Sequence, residues 1–184
     1  MKTYYSTDNN TNNKYISGVE NMLERLKPKL YVDSIFHLDL EQLKKFNIKG
    51  FIIDIDNTLV EWEEKTASER VKTWLRNLEL EAFKVCLVSN NTEDRVVKFN
   101  EELKLPAIHR AVKPRVSAFH KAMELMGTTP ETTAVIGDQL FTDVLGGNRL
   151  DLFTILVIPL GNQELTWTKF VRKIEKVVLK KVLH

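Results

Sequence analysis

Four short apolar runs, Gly50 to Ile53, Val85 to Val88, Ala134 to Ile136 and Leu152 to Ile158, punctuate a chain otherwise rich in charge. They are dense in β-branched residues and lack polar alternation, which is how strands buried on both faces of a parallel sheet read. Charged segments of helical period separate them, at Arg70 to Leu80, Glu93 to Leu105 and Ala118 to Met126. A weaker strand over Ala107 to Ala111 fills the remaining gap. Strands alternating with helices imply right-handed crossovers and a three-layer α/β fold around a mainly parallel, five-stranded sheet. Upstream, Ile16, Val19, Met22, Leu23 and Leu26 have helical spacing, and Pro28 ends that pattern. A second short helix through Leu40, Leu43 and Phe46 opens on Asp39 as N-cap, with Gln42 at the capping-box offset.

A chain of 184 residues suits one domain. The expected layout is a tract over 1–14 without fixed structure, a helical extension over 15–48 within a single domain 15–184, and a helix over 163–184. One cysteine, Cys86, excludes a disulfide framework and a cysteine-rich zinc site. Its place in an apolar run marks it as core. His37, His109, His120 and His184 are scattered and form no ligand set. With 27 Lys and Arg against 25 Asp and Glu, the net charge of +2 is too small for a dedicated nucleic-acid binder. No apolar run reaches the roughly 18 residues of a membrane span, and no apolar leader opens the chain. The expected setting is cytoplasmic.

In open parallel sheets, ligands bind beyond the carboxyl ends of the strands. The polar residues just after the apolar runs are therefore informative. They are Asp54-Ile55-Asp56-Asn57-Thr58, then Ser89-Asn90-Asn91-Thr92, then Gly137-Asp138 with Asp143 five residues on. Asp54 and Asp56 alternate around Ile55, so in extended geometry both carboxylates face one side. Such a pair repels and is costly to bury without a cation, and Asp138 adds a third hard oxygen donor. A donor set of carboxylates favours Mg²⁺. The competing reading of a lone Asp-x-Asp is a solvated turn. The Ser89 hydroxyl and the Asn90 backbone N–H can hold a phosphoryl oxygen; Thr92 has the sequence position of a helix N-cap. Lys113 could add a positive charge. Gly146 and Gly147 permit a turn or close packing.

In this order, Asp-x-Asp-x-Thr after a strand, Ser-Asn after a second, the lysine and Gly-Asp-x-x-x-x-Asp resemble the four motifs of the haloacid dehalogenase-like phosphohydrolases. The fuller stretches Pro28-Lys29-Leu30-Tyr31-Val32, Gly50 to Val60, Val88-Ser89-Asn90-Asn91 and Lys113-Pro114 are similar to the YqeG family of capless phosphatases. The resemblance covers roughly residues 15–170. It implies a Rossmann-like fold without a cap domain and an Mg²⁺-dependent phosphomonoester hydrolase. It further implies Asp54 as the nucleophile that becomes phosphorylated, and Asp56 as general acid and base. Asp54, the Asp56 backbone carbonyl and Asp138 would be the metal ligands, and Ser89, Asn90 and Lys113 the phosphate binders. Asp143 and Thr58 would support them, Asp143 by orienting metal waters or Lys113.

The spacing leaves no room for a cap: 33 positions separate Asp56 from Ser89 and 24 separate Ser89 from Lys113. The expected site is open, with Asn57 to Thr66 as its flap, and suits a substrate that covers the chemistry itself. From Trp167 onward, Trp167, Phe170, Val171, Ile174, Val177, Val178 and Val182 keep helical spacing, and six Lys and Arg face one Glu. A basic amphipathic helix can lie on anionic lipid, or can pack on the sheet with its lysines solvated. Together with the resemblance, this makes phosphatidylglycerophosphate or a similar lipid headgroup phosphate the leading substrate. Phosphate groups on protein or nucleic acid are the alternative, as is a non-catalytic binding or assembly factor on the same fold.

Overall fold

The structure is a computed structural model and describes residues 24–161. The expected tract over 1–14 and the expected basic helix over 163–184 lie outside the described residues, as does most of the first helical pattern.

Six strands form one sheet in the order β1-β6-β5-β2-β3-β4, every pair parallel. They are β1 (Leu30–Val32), β2 (Gly50–Ile53), β3 (Lys84–Val88), β4 (Ala107–Ile108), β5 (Thr133–Gly137) and β6 (Phe153–Val157). The helices are α1 (Leu40–Lys45), α2 (Glu69–Leu80), α3 (Glu93–Asn100), α4 (Ser117–Met126) and α5 (Leu145–Asn148). No helix among the described residues is long and apolar enough to cross a membrane.

Alternation along β2 explains the layers. Phe51 and Ile53 pack with Trp74, Leu75 and Leu78 of α2 and Phe99 of α3 on one face. Ile52, between them, joins Cys86, Val88 and Val135 against Phe119, Ala122 and Met123 of α4 on the other. Cys86 is core as expected, and burial pushes its thiol up to about 12. A Cβ on Gly146 would sit 2.5 Å from the Phe119 ring, so glycine there serves close packing.

The sheet has six strands where the sequence reading has five. The additional one, β1, falls within the expected helical extension over 15–48. It is three residues long and pairs with Ile155, Leu156 and Val157, more than a hundred positions away. A run that short carries no readable period, and its partner is invisible locally. Two elements are also shorter than expected. The helix opened by Glu93 ends at Asn100, whose side-chain amide bonds both the N–H and the carbonyl of Leu105 at 3.0 and 2.7 Å and closes the turn. The strand from Ala107 stops at Ile108 because Arg110 and Val112 take left-handed backbone angles, φ 48° and 55°. Thr92 occupies the N-cap position of α3, but its hydroxyl makes no cap bond.

Strand order reverses at β2: the chain runs outward through β3 and β4, then returns to place β5 on the other side of β2. The carboxyl ends of β2, β3 and β5 are thus adjacent, and they carry Asp54, Ser89 and Asp138.

Candidate functional site

The site begins in the turn after β2. Asp54 still joins the sheet, its N–H donating to the Ile136 carbonyl at 2.9 Å. The chain then folds over Ile55, whose carbonyl accepts from Thr58, Leu59 and Val60. This turn ends the strand geometry on which the shared orientation of Asp54 and Asp56 depended. Both carboxylates are buried, each residue 8% exposed, yet they take different partners.

Asp54 Oδ1 accepts from Lys113 Nζ at 2.5 Å, and the same ammonium donates to Asp143 Oδ1 at 2.7 Å and to the Val88 carbonyl at 2.9 Å. Carboxylate oxygens of Asp54, Asp138 and Asp143 lie within 4.8 Å of one another. The Thr58 hydroxyl stands 3.4 Å from both Asp54 Oδ2 and Asp138 Oδ1. Burial pushes the Asp54 carboxyl well above the usual range; Lys113 pulls it down, and Asp143 and Asp138 push it up again. Burial by itself would lower Lys113, but Asp143 and Asp54 outweigh it and hold the ammonium above its ordinary value.

Gly137 makes this cluster possible. A Cβ there would lie 2.2 Å from the Asp143 carboxyl carbon, so only glycine lets the Asp143 side chain fold back under the end of β5. The backbone N–H of Gln139 and the Thr142 hydroxyl then hold Asp143 Oδ2 at 3.3 and 3.2 Å.

Asp56 turns to the end of β3. Arg95 of α3 donates Nε and Nη2 to its Oδ1 at 3.1 and 2.9 Å. Ser89 Oγ and Asn91 Nδ2 reach Oδ2 at 3.4 and 3.3 Å. Asn90 uses its side chain to clamp the lysine segment: its Oδ1 accepts from the Lys113 N–H at 2.7 Å, and its Nδ2 donates to the Lys113 carbonyl at 3.3 Å. The structure therefore brings Asp54, Asp56, Thr58, Ser89, Asn90, Lys113, Asp138 and Asp143 to one end of the sheet. It separates Asp56's carboxylate from the three-carboxylate group.

Arg95, and the side-chain role of Asn91, escape a reading of the sequence. Asn91 lies two positions after the strand-end serine and Arg95 in the first turn of α3, so both stand close to the end of β3. That nearness to a strand end is the available signal. Among the described residues, the oxygen cluster contains only carboxylates, and His37, His109 and His120 play no part in it.

The donor set fits a hard divalent cation. Three carboxylates converge, and burial with like charge disfavours ionised Asp54 even with Lys113 in contact.

A family model described as mitochondrial PGP phosphatase matches residues 13–158. A probable phosphatase, YqeG, from Bacillus subtilis (strain 168) is 45% identical over 152 residues, 83% of this chain and 88% of that one. Phosphatidylglycerophosphate phosphatase 1, chloroplastic/mitochondrial, from Arabidopsis thaliana is 28% identical over 167 residues, 85% of this chain and 48% of that one. Among solved structures, an uncharacterized protein from Listeria monocytogenes serotype 4b matches with a TM-score of 0.51 at 15% identity. That match covers 72% of this chain and 99% of the other and supports the fold alone.

Proposed function

We propose a mechanism and a substrate class from one premise: the chain belongs to the mitochondrial PGP phosphatase family, within the haloacid dehalogenase-like phosphatases. It is a phosphatase, and Asp54 is its nucleophile. The observation that carries this role is the setting of Asp54: a buried carboxylate at the central strand end, touching one lysine and crowded by two more carboxylates.

An oxygen of Asp54 bonds to phosphorus as the bond from phosphorus to the leaving oxygen breaks, and Asp56 gives that oxygen its proton. A water then bonds to phosphorus, Asp56 takes the water's proton, and the Asp54–phosphorus bond breaks to release phosphate. Ser89 and the Asn90 backbone N–H hold the phosphoryl oxygens, and Lys113 places positive charge beside them. Asp54, Asp138 and the Asp56 backbone carbonyl would hold Mg²⁺. When bound, the ion supplies charge neutralisation for the phosphoryl group and keeps Asp54 ionised. Asp143, bonded to Lys113 and to the loop after β5, fixes the lysine.

The substrate is a lipid headgroup phosphomonoester of the phosphatidylglycerophosphate type. The Arabidopsis relative's name supports this, as does the short path between strands: among the described residues, α2 is the only helix between β2 and β3, leaving the site uncapped. The chain reaches Gly161 beside the turn that bears Asp56, since the Leu160 N–H donates to the Asn57 carbonyl. The sequence beyond Gly161 is basic, and a basic segment attracts anionic lipid.

Phosphate release from lipid, nucleotide, sugar and phosphopeptide panels tests the reading, with Asp54→Asn as blank. Mg²⁺-dependent release lost in EDTA, greatest from the lipid, is expected. Preferred release from phosphopeptide or nucleic acid would replace the substrate class, and metal-independent turnover would remove the cation. Co-sedimentation with anionic but not neutral vesicles is expected; equal pelleting with both would remove the membrane contact.

A further inference from the structure

We infer that Arg95 is a positioning residue for proton transfer: it fixes Oδ1 of Asp56 and leaves Oδ2 as the oxygen that carries the proton. This rests on the acid and base role proposed for Asp56.

The two oxygens of that carboxylate are bonded very differently. Oδ1 receives two N–H groups of one guanidinium, at 3.1 and 2.9 Å, a charge-assisted contact made from one side of that oxygen. A proton added there would face a donor. Oδ2 meets only neutral groups at the outer limit of hydrogen bonding, the Ser89 hydroxyl at 3.4 Å and the Asn91 amide at 3.3 Å. It is also the oxygen beside Ser89, and so beside the phosphoryl-binding strand end.

The pair is shielded, with side chains 13% and 10% exposed for Arg95 and Asp56. Solvent therefore cannot easily reorient the carboxylate. A planar fork sets the direction of the oxygen it grips, which a lysine's single ammonium does not. The third guanidinium nitrogen, Nη1, is buried without a partner among the described residues.

In the first step, the proton on Oδ2 passes to the departing alkoxide oxygen while the Asp54 oxygen–phosphorus bond forms. In the second, the attacking water's proton returns to Oδ2 as that bond breaks. Proton and electron pairs balance without another reactant.

The test exploits leaving groups. An alkoxide needs the proton, whereas p-nitrophenolate leaves without it. The full chain and its Arg95→Gln and Arg95→Lys variants are assayed with Mg²⁺ on glycerol 3-phosphate and on p-nitrophenyl phosphate. Arg95→Gln should lower kcat/KM, which reads the leaving-group step and not the shared hydrolysis of the phosphoenzyme, about tenfold or more further on the alkyl ester than on the aryl ester. Arg95→Lys should recover part of the alkyl loss, and it carries the comparison if the glutamine variant does not fold. Equal losses of kcat/KM on both esters, or no loss on either, would overturn the inference while leaving the phosphatase reading intact. If the wild type hydrolyses neither ester and releases no phosphate from the lipid, the hydrolytic reading falls and the inference falls with it.

Discussion

Asp54 and Asp56 leave the same strand two positions apart and are equally buried, yet the fold treats them as opposites. Asp54 shares Lys113 with Asp143 and lies close to Asp138, and the balance of burial and like charge disfavours its ionised form. Asp56 is matched one to one by a guanidinium and touched by two neutral donors. The turn over Ile55 makes the difference, because it sends one carboxylate toward β5 and the other toward β3. One corner is left short of positive charge, which suits it to receive a cation and a phosphoryl group. The other is a closed pair, which fixes how the carboxylate is oriented.

The sharpest way to break this contrast is Asp54→Asn. Turnover should fall by at least about 10³-fold if Asp54 is the covalent nucleophile. Stability should move the other way. A carboxyl whose folded pKa is raised binds more protons in the native state, so its contribution is present below the unfolded value and is lost as pH rises through the folded one. At neutral pH without metal, wild-type Asp54 therefore costs stability, and the asparagine variant should melt higher. The gap should close as pH falls toward the ordinary carboxylate range near about 4, where Asp54 protonates in both states. A lower melting temperature for the variant at neutral pH would show that Lys113 already satisfies the corner.

Lys113→Met comes next. Removing a lysine that bonds two buried carboxylates leaves both unpaired, and breaking such a buried arrangement typically costs about 3–5 kcal/mol. Urea denaturation without metal measures it. Added Mg²⁺ should return part of the loss, which it would not do for a variant in the Asp56 corner. Cys86 gives an independent readout: with its thiol held near about 12, it should react with a thiol reagent only as the protein opens.

Much of this arrangement is legible in the sequence. Strand ends in a parallel sheet point to one edge, so Asp54, Ser89 and Asp138 can be placed together from the apolar runs and the polar residues that end them. Lys113 comes from resemblance, since nothing in its own neighbourhood distinguishes it from a solvated lysine. The features that escape depend on distance or on local departure from a regular pattern. β1 needs a partner more than a hundred positions away. The separation of Asp54 from Asp56 needs three N–H groups converging on one carbonyl. Arg95 needs the helix after β3 to start where it does, and one turn of a charged helix resembles any other.

Gly137→Ala should act at an intermediate level. Its new Cβ would collide with the Asp143 carboxyl group, and overpacking of this kind usually costs about 1–3 kcal/mol. If the comparison holds, displacement of Asp143 frees one side of Lys113, so metal dependence should change while the alkyl-to-aryl preference set at Asp56 stays as it was. A shift in that preference would show that the two corners communicate.

Thr58→Val should have the smallest effect and is the most discriminating. The hydroxyl has one hydrogen and stands 3.4 Å from two carboxylate oxygens, so it satisfies at most one of them at a time, and through a long bond. Its net worth should lie at the low end for a hydrogen bond, about 0.5 kcal/mol. Valine keeps the branched shape but removes the donor, so Asp54 and Asp138 lose a neutral link and keep their repulsion. Loss should therefore be visible as weaker retention of Mg²⁺, read by titrating activity against free metal, with at most a few-fold change in kcat at saturating metal. A larger fall in kcat than in apparent metal affinity would instead make the hydroxyl a direct contact of the phosphoryl group, and would move Thr58 from the cation's side of the site to the substrate's.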